Sequence, residues 1–215
     1  MCGRYGLYDI SEDRVLADSL GSTFKPNYNA APTQSMPVLI KQDEKTAADV
    51  MEWGIKRKVG PDVEKSLFNT RADKAFGGFW GKTVKSHRCL VPANGFYEWH
   101  RSGAQKIPFW IHEKKNGLIY FAGIYSPDAE GNYHYSIMTT GPNKEMAPIH
   151  DRMPVILDEE KRTLWLDSPE DIELEFLEEL FRPLPDNSLD IFEVSKNVNV
   201  VRNNSGMLIL PLNSA

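Results

Sequence analysis

The residue with the most reactive potential is Cys2, which directly follows the initiator Met1. Initiator methionine is normally removed before a small residue, so we expect Cys2 to become the N-terminus. It would then carry an α-amine with a pKa of about 7.7–8.0 and a thiol with a pKa of about 8.5 on adjacent carbons. Such a 1,2-aminothiol condenses with an aldehyde through its amine and then closes a thiazolidine ring through its thiol. It can alternatively serve as an N-terminal nucleophile in amide hydrolysis. The third alternative is a cysteine that merely follows the start codon.

Two other polar residues are candidates for proton transfer. Glu98 is flanked by Tyr97 and Trp99, and a carboxylate in apolar surroundings holds its proton more readily than one in water. His150 lies in a short loop before a hydrophobic strand, and imidazole is the natural acid or base near neutral pH. The alternatives are a glutamate on an exposed strand edge and a structural histidine.

Four further residues have both a structural and a functional interpretation. Asn69 precedes a predicted helix, so it is either a helix cap or a site residue. Arg71, two residues later, has the donor geometry for bidentate phosphate binding. Trp53 is a core aromatic or a stacking platform for a base, and the core is favoured. Cys89 lies in a hydrophobic strand, where a free cysteine is expected to be buried.

The composition indicates one globular domain spanning residues 1–215, with 41% hydrophobic and 26% charged residues. No apolar run approaches the roughly 18 residues of a membrane helix, and no basic segment precedes a hydrophobic one at the start. We therefore expect a cytoplasmic protein without a signal peptide or membrane contact. Two cysteines without a CxxC pair or zinc spacing predict reduced thiols, no metal and no cofactor.

The charge is unevenly distributed. The net charge of the chain is −5, which argues weakly against nucleic acid as a partner. Residues 53–91, however, hold nine basic and three acidic side chains, a net of +6. A local basic surface on an acidic protein can bind phosphates, and a solvated lysine-rich face is the alternative.

The pattern of elements predicts an α+β fold. Helices are expected over 11–20, capped by Ser11 and ended by Gly21, and over 168–181, capped by Ser168. Between them the chain reads mainly as short strands punctuated by Gly, Pro, Asp and Asn. The predicted strands are 36–41, 47–53, 88–99, 107–113, 118–125, 133–140, 153–157 and 190–195. Such closely spaced strands favour a curved, mostly antiparallel, barrel-like sheet with a few flanking helices.

Short motifs extend from Cys2 to about Asn204. They are CGRY at 2–5, NAAPTQ at 29–34, WG at 53–54, NTRAD at 69–73, CLVPANGFYEW at 89–99, FAGIY at 121–125, MTTGPN at 138–143, IHDRMPVIL at 149–157 and VSKNVNVVRNN at 194–204. In this order they resemble the SRAP (SOS-response-associated peptidase) family.

The resemblance implies a curved antiparallel sheet with a positively charged channel that recognises abasic sites in single-stranded DNA. It further implies that the N-terminal cysteine forms a thiazolidine crosslink with the ring-opened sugar, which shields the lesion during the DNA damage response. The expected partner is single-stranded DNA containing abasic sites, bound by a monomer that associates with the nucleoid when on DNA.

The resemblance also assigns roles to individual residues. Cys2 is the nucleophile, Asn69 contacts the reacting end, and Glu98 and His150 form an acid/base pair that is also a candidate for slow reversal of the adduct. The residues implied to contact or shape the DNA channel are Arg4, Pro32, Trp53, Arg71 and Arg152.

The chain departs from the family pattern at two places. NTRAD stands where NARAE is expected, which leaves Asn69 and Arg71 in place, and the sequence after Gly54 is more basic than usual. The remaining functional alternative is a cysteine peptidase or amidase with an N-terminal nucleophile, including self-removal of Met1. Lyase activity on the abasic strand is a further expectation.

Overall fold

Runs of β-branched and aromatic residues separated by turn formers give this chain mostly strands. The computed structural model describes residues 2–58, 60, 63–75, 77, 80–170, 172 and 174–212, so Met1, whose removal is predicted, lies outside the described residues. The strands are β1 Tyr5–Leu7, β2 Asn27–Ala30, β3 Ser35–Gln42, β4 Lys45–Trp53, β5 Ile55–Lys58, β6 Glu64–Leu67, β7 Asn69–Arg71, β8 Arg88–Ala93, β9 Gly95–Ser102, β10 Gln105–Glu113, β11 Ile119–Pro127, β12 Tyr133–Thr140, β13 Met153–Pro154 and β14 Leu189–Glu193.

Five strands form a closed ring, which confirms the predicted barrel-like sheet. The order β11-β8-β3-β4-β12 is completed by a second pairing of β12 with β11. The pairing of β12 with β4 is parallel, and the others in the ring are antiparallel. Strand β12 also pairs in parallel with β7, and this pairing places Asn69, the first residue of β7, at the edge of the ring.

A second, antiparallel sheet lies beside the ring in the order β14-β10-β9-β1-β2. Its strand β1 holds the start of the chain against β9, with Tyr5 opposite Phe96. The strands β5 and β6 form a separate two-stranded ribbon. The start of the chain and the strand that carries Glu98 are therefore neighbours.

Short helices flank the sheets, and two predicted boundaries are wrong. The helices are α1 Arg14–Leu20, α2 Trp80–Ser86, α3 Glu159–Asp167 and α4 Leu174–Leu180. Asp13 caps α1 instead of Ser11, because its carboxylate accepts from Leu16 N at 3.0 Å. Ser168 ends α3 and does not open a helix over 168–181, since its N–H donates to the carbonyl of Leu164. Among the described residues no helix is long and apolar enough to cross a membrane.

Trp53 and Cys89 both lie in the core with no exposed surface. The Trp53 ring stacks on Tyr135 with centroids 6.2 Å apart, and its Nε1 donates to the carbonyl of Phe68 at 2.8 Å. The favoured interpretation of Trp53 as a core aromatic is therefore confirmed, because the ring has no exposed area. The expectation that Cys89 is a core residue is confirmed.

Candidate active site around Cys2

Cys2 is buried where β1 meets β9. The hydrogen bonding between the start of the chain and β9 continues beyond the N-terminal end of β1, because Tyr97 N donates to the carbonyl of Arg4 at 2.9 Å. The Cys2 side chain is fully buried, and its Sγ lies 3.7 Å from the same Arg4 carbonyl oxygen. Burial, followed by the nearby charge of Glu98, raises the pKa of the Cys2 thiol. The thiol is therefore protonated near neutral pH in this environment.

Asn69 holds the backbone of Cys2. Its position on β7 is fixed by the parallel pairing with Ile137 on β12. Its Nδ2 donates to the carbonyl oxygen of Cys2 at 2.7 Å. Its Oδ1 is buried and accepts no hydrogen bond from any described residue. Because a buried acceptor without a donor is unfavourable, this oxygen is suited to a donor that a ligand or a free α-amine would supply.

Glu98 and His150 line one cavity of about 410 Å³. Glu98 lies on β9 opposite Phe109, and only 3% of the residue is exposed. The cavity is lined by Arg4, Glu98, Trp99, Arg101, Lys106, His150 and Asn199. The charge of Glu98 also acts on the Cys2 thiol. The structure thus brings Glu98 and His150, the predicted acid/base pair, to one cavity.

The imidazole of His150 has contacts suited to both of its protonation states. Its Nδ1 lies 3.0 Å from the backbone nitrogen of Arg152 and 2.8 Å from a carboxylate oxygen of Asp151. An unprotonated Nδ1 accepts from the Arg152 N–H, whereas a protonated one donates to Asp151. Nδ1 of His150 therefore has both a donor and an acceptor within hydrogen-bond distance.

Arg4 is anchored across the second sheet. Its Nη1 donates to Asn29 Oδ1 and to the carbonyl of Val198, both at 2.8 Å. Its guanidinium carbon lies 5.9 Å from the centre of the Trp99 ring, within cation–π distance. Arg4 is the only one of the three predicted phosphate-binding arginines that lines the described cavity.

Arg71 and Arg152 share one carboxylate, that of Asp73. Arg71 binds it through Nε at 3.1 Å and Nη2 at 2.6 Å, and about half of the Arg71 side chain is exposed. Arg152 Nη1 lies 3.4 Å from Asp73, and its Nη2 donates to the Thr139 carbonyl. With 14% of its side chain exposed, Arg152 is held mainly inside the protein, so Arg71 is the more accessible of the two.

Pro32 lies in a turn that contacts the backbone of Trp53. Gln34 N donates to the Ala31 carbonyl at 3.2 Å, and Thr33 has a φ of 73°. Thr33 N also donates to the Trp53 carbonyl at 2.8 Å. Pro32 itself is half-buried. Of the two residues predicted to shape the channel, Pro32 therefore lies in a half-buried turn, and a hydrogen bond to the backbone of the core residue Trp53 holds this turn in place.

Sequence reasoning missed four residues that line the cavity: Trp99, Arg101, Lys106 and Asn199. Trp99 Nε1 donates to Asn199 Oδ1 at 2.8 Å, which joins the second sheet to the segment after β14. Trp99 and Asn199 both lie in motifs named in the sequence analysis, so the sequence contained a signal for each of them. Arg101 and Lys106 stand in no motif, and only the register of β9 with β10 brings them together.

The family model for SOS response associated peptidase (SRAP) matches residues 1–201. The chain belongs to the SRAP family. An SRAP relative in Bacillus subtilis (strain 168), named abasic site processing protein YoqW, is 32% identical over an alignment of 225 positions, with 97% of this chain and 99% of the relative covered. The abasic site processing protein HMCES of Gallus gallus is 30% identical, with 88% and 67% covered.

Solved structures agree with this SRAP fold. A protein from Bacteroides thetaiotaomicron superposes with a TM-score of 0.78 at 22% identity, covering 98% of this chain and 99% of that one. A phage-related protein of Bordetella bronchiseptica gives a TM-score of 0.71 at 25% identity, covering 91% and 95%.

Proposed function

We propose that this SRAP protein processes abasic sites in single-stranded DNA by a covalent crosslink through Cys2 after removal of Met1. Its relatives carry the name abasic site processing protein. The observation that carries the proposal is the grouping around Cys2 itself. Asn69 holds the Cys2 carbonyl and offers a buried acceptor, while Glu98 and His150 share the adjoining cavity. This is the set that condensation of an aminothiol with a sugar aldehyde requires.

The amine reacts first. An abasic sugar is in equilibrium with its open-chain aldehyde, and the α-amine of Cys2 adds to C1′ of that aldehyde. A general acid protonates the hydroxyl of the resulting carbinolamine, water leaves, and a protonated Schiff base forms. Glu98 and His150 are the candidate acids because both line the cavity beside Cys2. The raised pKa of the thiol supports this order, because it keeps the sulfur from competing as a thiolate.

The thiol then closes the ring. Its sulfur adds to the carbon of the C=N bond, and its proton is passed to a nearby base, for which Glu98 is suited by its electrostatic proximity. No oxidation or reduction takes place, and the adduct has the mass of protein plus DNA minus one water. Loss of a 2′ proton from the Schiff base would instead cleave the strand. Rapid thiol capture therefore protects the DNA.

Binding of the strand is assigned to cations around the site. Arg4 at the cavity and the half-exposed Arg71 are the predicted phosphate contacts, with Arg152 supporting Asp73 and the turn at Pro32 shaping the path. A single strand can bend into such a site more readily than a duplex, and phosphate contacts make the affinity fall with salt.

Intact mass spectrometry tests this function. Protein whose mass confirms loss of Met1 is incubated with a single-stranded oligonucleotide bearing one abasic site. We expect a heat-stable species at the summed mass minus one water, and none with an undamaged oligonucleotide. Cys2→Ser should lose the stable adduct yet yield a borohydride-reduced Schiff base. If the mature protein forms no adduct, the N-terminal-nucleophile hydrolase becomes the better account.

A further inference from the structure

The cavity beside Cys2 carries more positive charge than the predicted phosphate contacts supply. Its lining includes the cations Arg4, Arg101 and Lys106 and one carboxylate, that of Glu98. Arg101 and Lys106 are exposed, whereas Glu98 is buried. The exposed side of the cavity therefore carries Arg101 and Lys106, while Glu98 lies on its buried side.

Arg101 and Lys106 are direct cross-strand partners. The register of β9 and β10 places them opposite each other, close to the turn that joins the two strands. Opposed residues of an antiparallel pair have Cβ atoms about 4.5–5.5 Å apart, and like charges at such positions are destabilising. The fold thus holds two positive charges together at a cost to its own stability.

The other basic residues near the site are held by partners within the protein, a carboxylate for Arg71 and Arg152 and neutral acceptors for Arg4. Arg71 and Arg152 share the carboxylate of Asp73, and Arg4 donates to Asn29 and Val198. Among the described residues no carboxylate forms a salt bridge with Arg101 or Lys106. Two adjacent cations without an internal counter-ion, at the mouth of a cavity, form a site for an external anion.

We propose that Arg101 and Lys106 bind the DNA phosphodiester next to the abasic sugar. The inference rests on the proposed function, because the cavity that the pair borders also holds Glu98 and His150, the residues assigned to the reacting sugar. A strand whose sugar enters this cavity must bring its adjoining phosphate past the rim. The bidentate guanidinium and the ammonium together match the charge and oxygen geometry of a phosphodiester.

The test is the salt dependence of affinity for an undamaged single-stranded oligonucleotide, measured by fluorescence anisotropy. Each phosphate contact contributes about 0.7 to the slope of log affinity against log salt for single strands. Because the pair is proposed to bind one phosphodiester, the double variant R101Q/K106Q should have a slope shallower by roughly 0.7. Its crosslinking rate with abasic DNA should fall at limiting DNA and be unchanged at saturating DNA, because binding is weakened and chemistry is not.

Two controls make the result specific. K114Q/K115Q removes two exposed cations just beyond the other end of β10, roughly 25 Å away along the strand, and should leave the slope unchanged. The swap R101K/K106R retains both charges and should retain most of the slope. Thermal unfolding of R101Q/K106Q should occur at no lower temperature than in wild type, because a repulsive pair has been removed.

An unchanged slope in R101Q/K106Q, or an equal loss in K114Q/K115Q, would overturn the assignment of this pair. Failure of the proposed function has a different signature. Wild-type protein would then form no crosslink with abasic DNA, while the loss of slope in R101Q/K106Q on undamaged DNA would still support the phosphate site.

Discussion

The two cysteines have similar burial and different surroundings. Both are fully buried, and the pKa of each thiol is raised, by burial alone at Cys89 and by burial followed by the Glu98 charge at Cys2. Cys89 packs within the barrel, where its Sγ is so close to Gly123 that an added Cβ there would lie 2.7 Å away. Cys2 instead has the Asn69 amide on its carbonyl and a polar cavity beside it.

The raised thiol pKa is common to both cysteines, so it does not set Cys2 apart. In the proposed function, what sets Cys2 apart is the α-amine that removal of Met1 would expose, together with the proton donor assigned to Glu98 or His150 and the anchor at Asn69. A thiol that reacts second, on an already formed Schiff base, has no need of a low pKa. Changing one group around each cysteine at a time tests how far their surroundings determine their behaviour.

The largest effect is expected from Glu98→Gln. Loss of the proton shuttle should slow crosslinking by about 10²- to 10⁴-fold. The same change removes the negative charge that raises the pKa of the Cys2 thiol, so alkylation of Cys2 should become faster while that of Cys89 stays the same. Glu113→Gln, at a half-buried carboxylate on β10, is the control and should leave both rates unaltered. Equal crosslinking rates for Glu98→Gln and wild type would remove Glu98 from the mechanism.

The second-largest effect is expected from Asn69→Asp, which should lower the crosslinking rate by roughly 10²-fold. The substitution preserves size but replaces the N–H that donates to the Cys2 carbonyl at 2.7 Å with a carboxylate oxygen. The backbone of Cys2 then loses its anchor, and two oxygens repel each other. Single-turnover kinetics at saturating DNA measures the effect. A variant that binds more weakly but reacts at the wild-type rate would show that Asn69 serves binding alone.

Gly123→Ala tests how tightly the barrel packs around Cys89. The new Cβ would meet Cys89 Sγ at 2.7 Å and Val91 Cγ2 at 3.0 Å inside the barrel. Such overpacking should lower the free energy of unfolding by about 1–3 kcal/mol without changing the crosslinking rate of the folded protein. Urea titration measures it, and Cys89→Ala in the same chain should restore part of the loss. No loss of stability would show that the barrel relaxes around the methyl group.

The smallest effect concerns alkaline pH. Burial raises the pKa of the Cys89 thiol above its unfolded value, so the folded state retains a proton that the unfolded state releases. Stability from this group is fully present below the unfolded pKa of about 8.5 and declines as pH rises above it. In Cys89→Ala the decline in the free energy of unfolding at alkaline pH should be shallower by up to about 1.4 kcal/mol per pH unit. Identical slopes in the two proteins would contradict the burial assigned to this thiol.

Local sequence patterns predicted the long strands but not the breaks and pairings that depend on distant residues. A single strand over 88–99 was predicted, and the chain instead divides at Asn94 into β8 and β9. The backbone N–H of Asn94 donates to Gly6, and its side chain accepts from Tyr8 and Asp9, so the division depends on the start of the chain. The three-residue strands β1 and β7 were missed for the same reason, since both exist through their partners.

The candidate site was predictable where a residue belongs to a motif. Glu98 and His150 were named from the sequence, and the fold brings both to one cavity. For Trp53 the WG motif left a core ring and a stacking platform both open, and the structure places the ring in the core. Arg101 and Lys106 have no motif and become neighbours only through strand register, which a single sequence does not specify.

A denaturing gel with the two cysteine variants tests the central claim most directly. Wild type, Cys2→Ala and Cys89→Ala, each with Met1 removed as judged by mass, are incubated with a single-stranded oligonucleotide bearing one abasic site, and with its intact counterpart. We expect a heat-stable shifted band with wild type and Cys89→Ala on abasic DNA only, and none with Cys2→Ala. A band of equal intensity with Cys2→Ala would contradict the assignment of Cys2 as the residue that forms the crosslink.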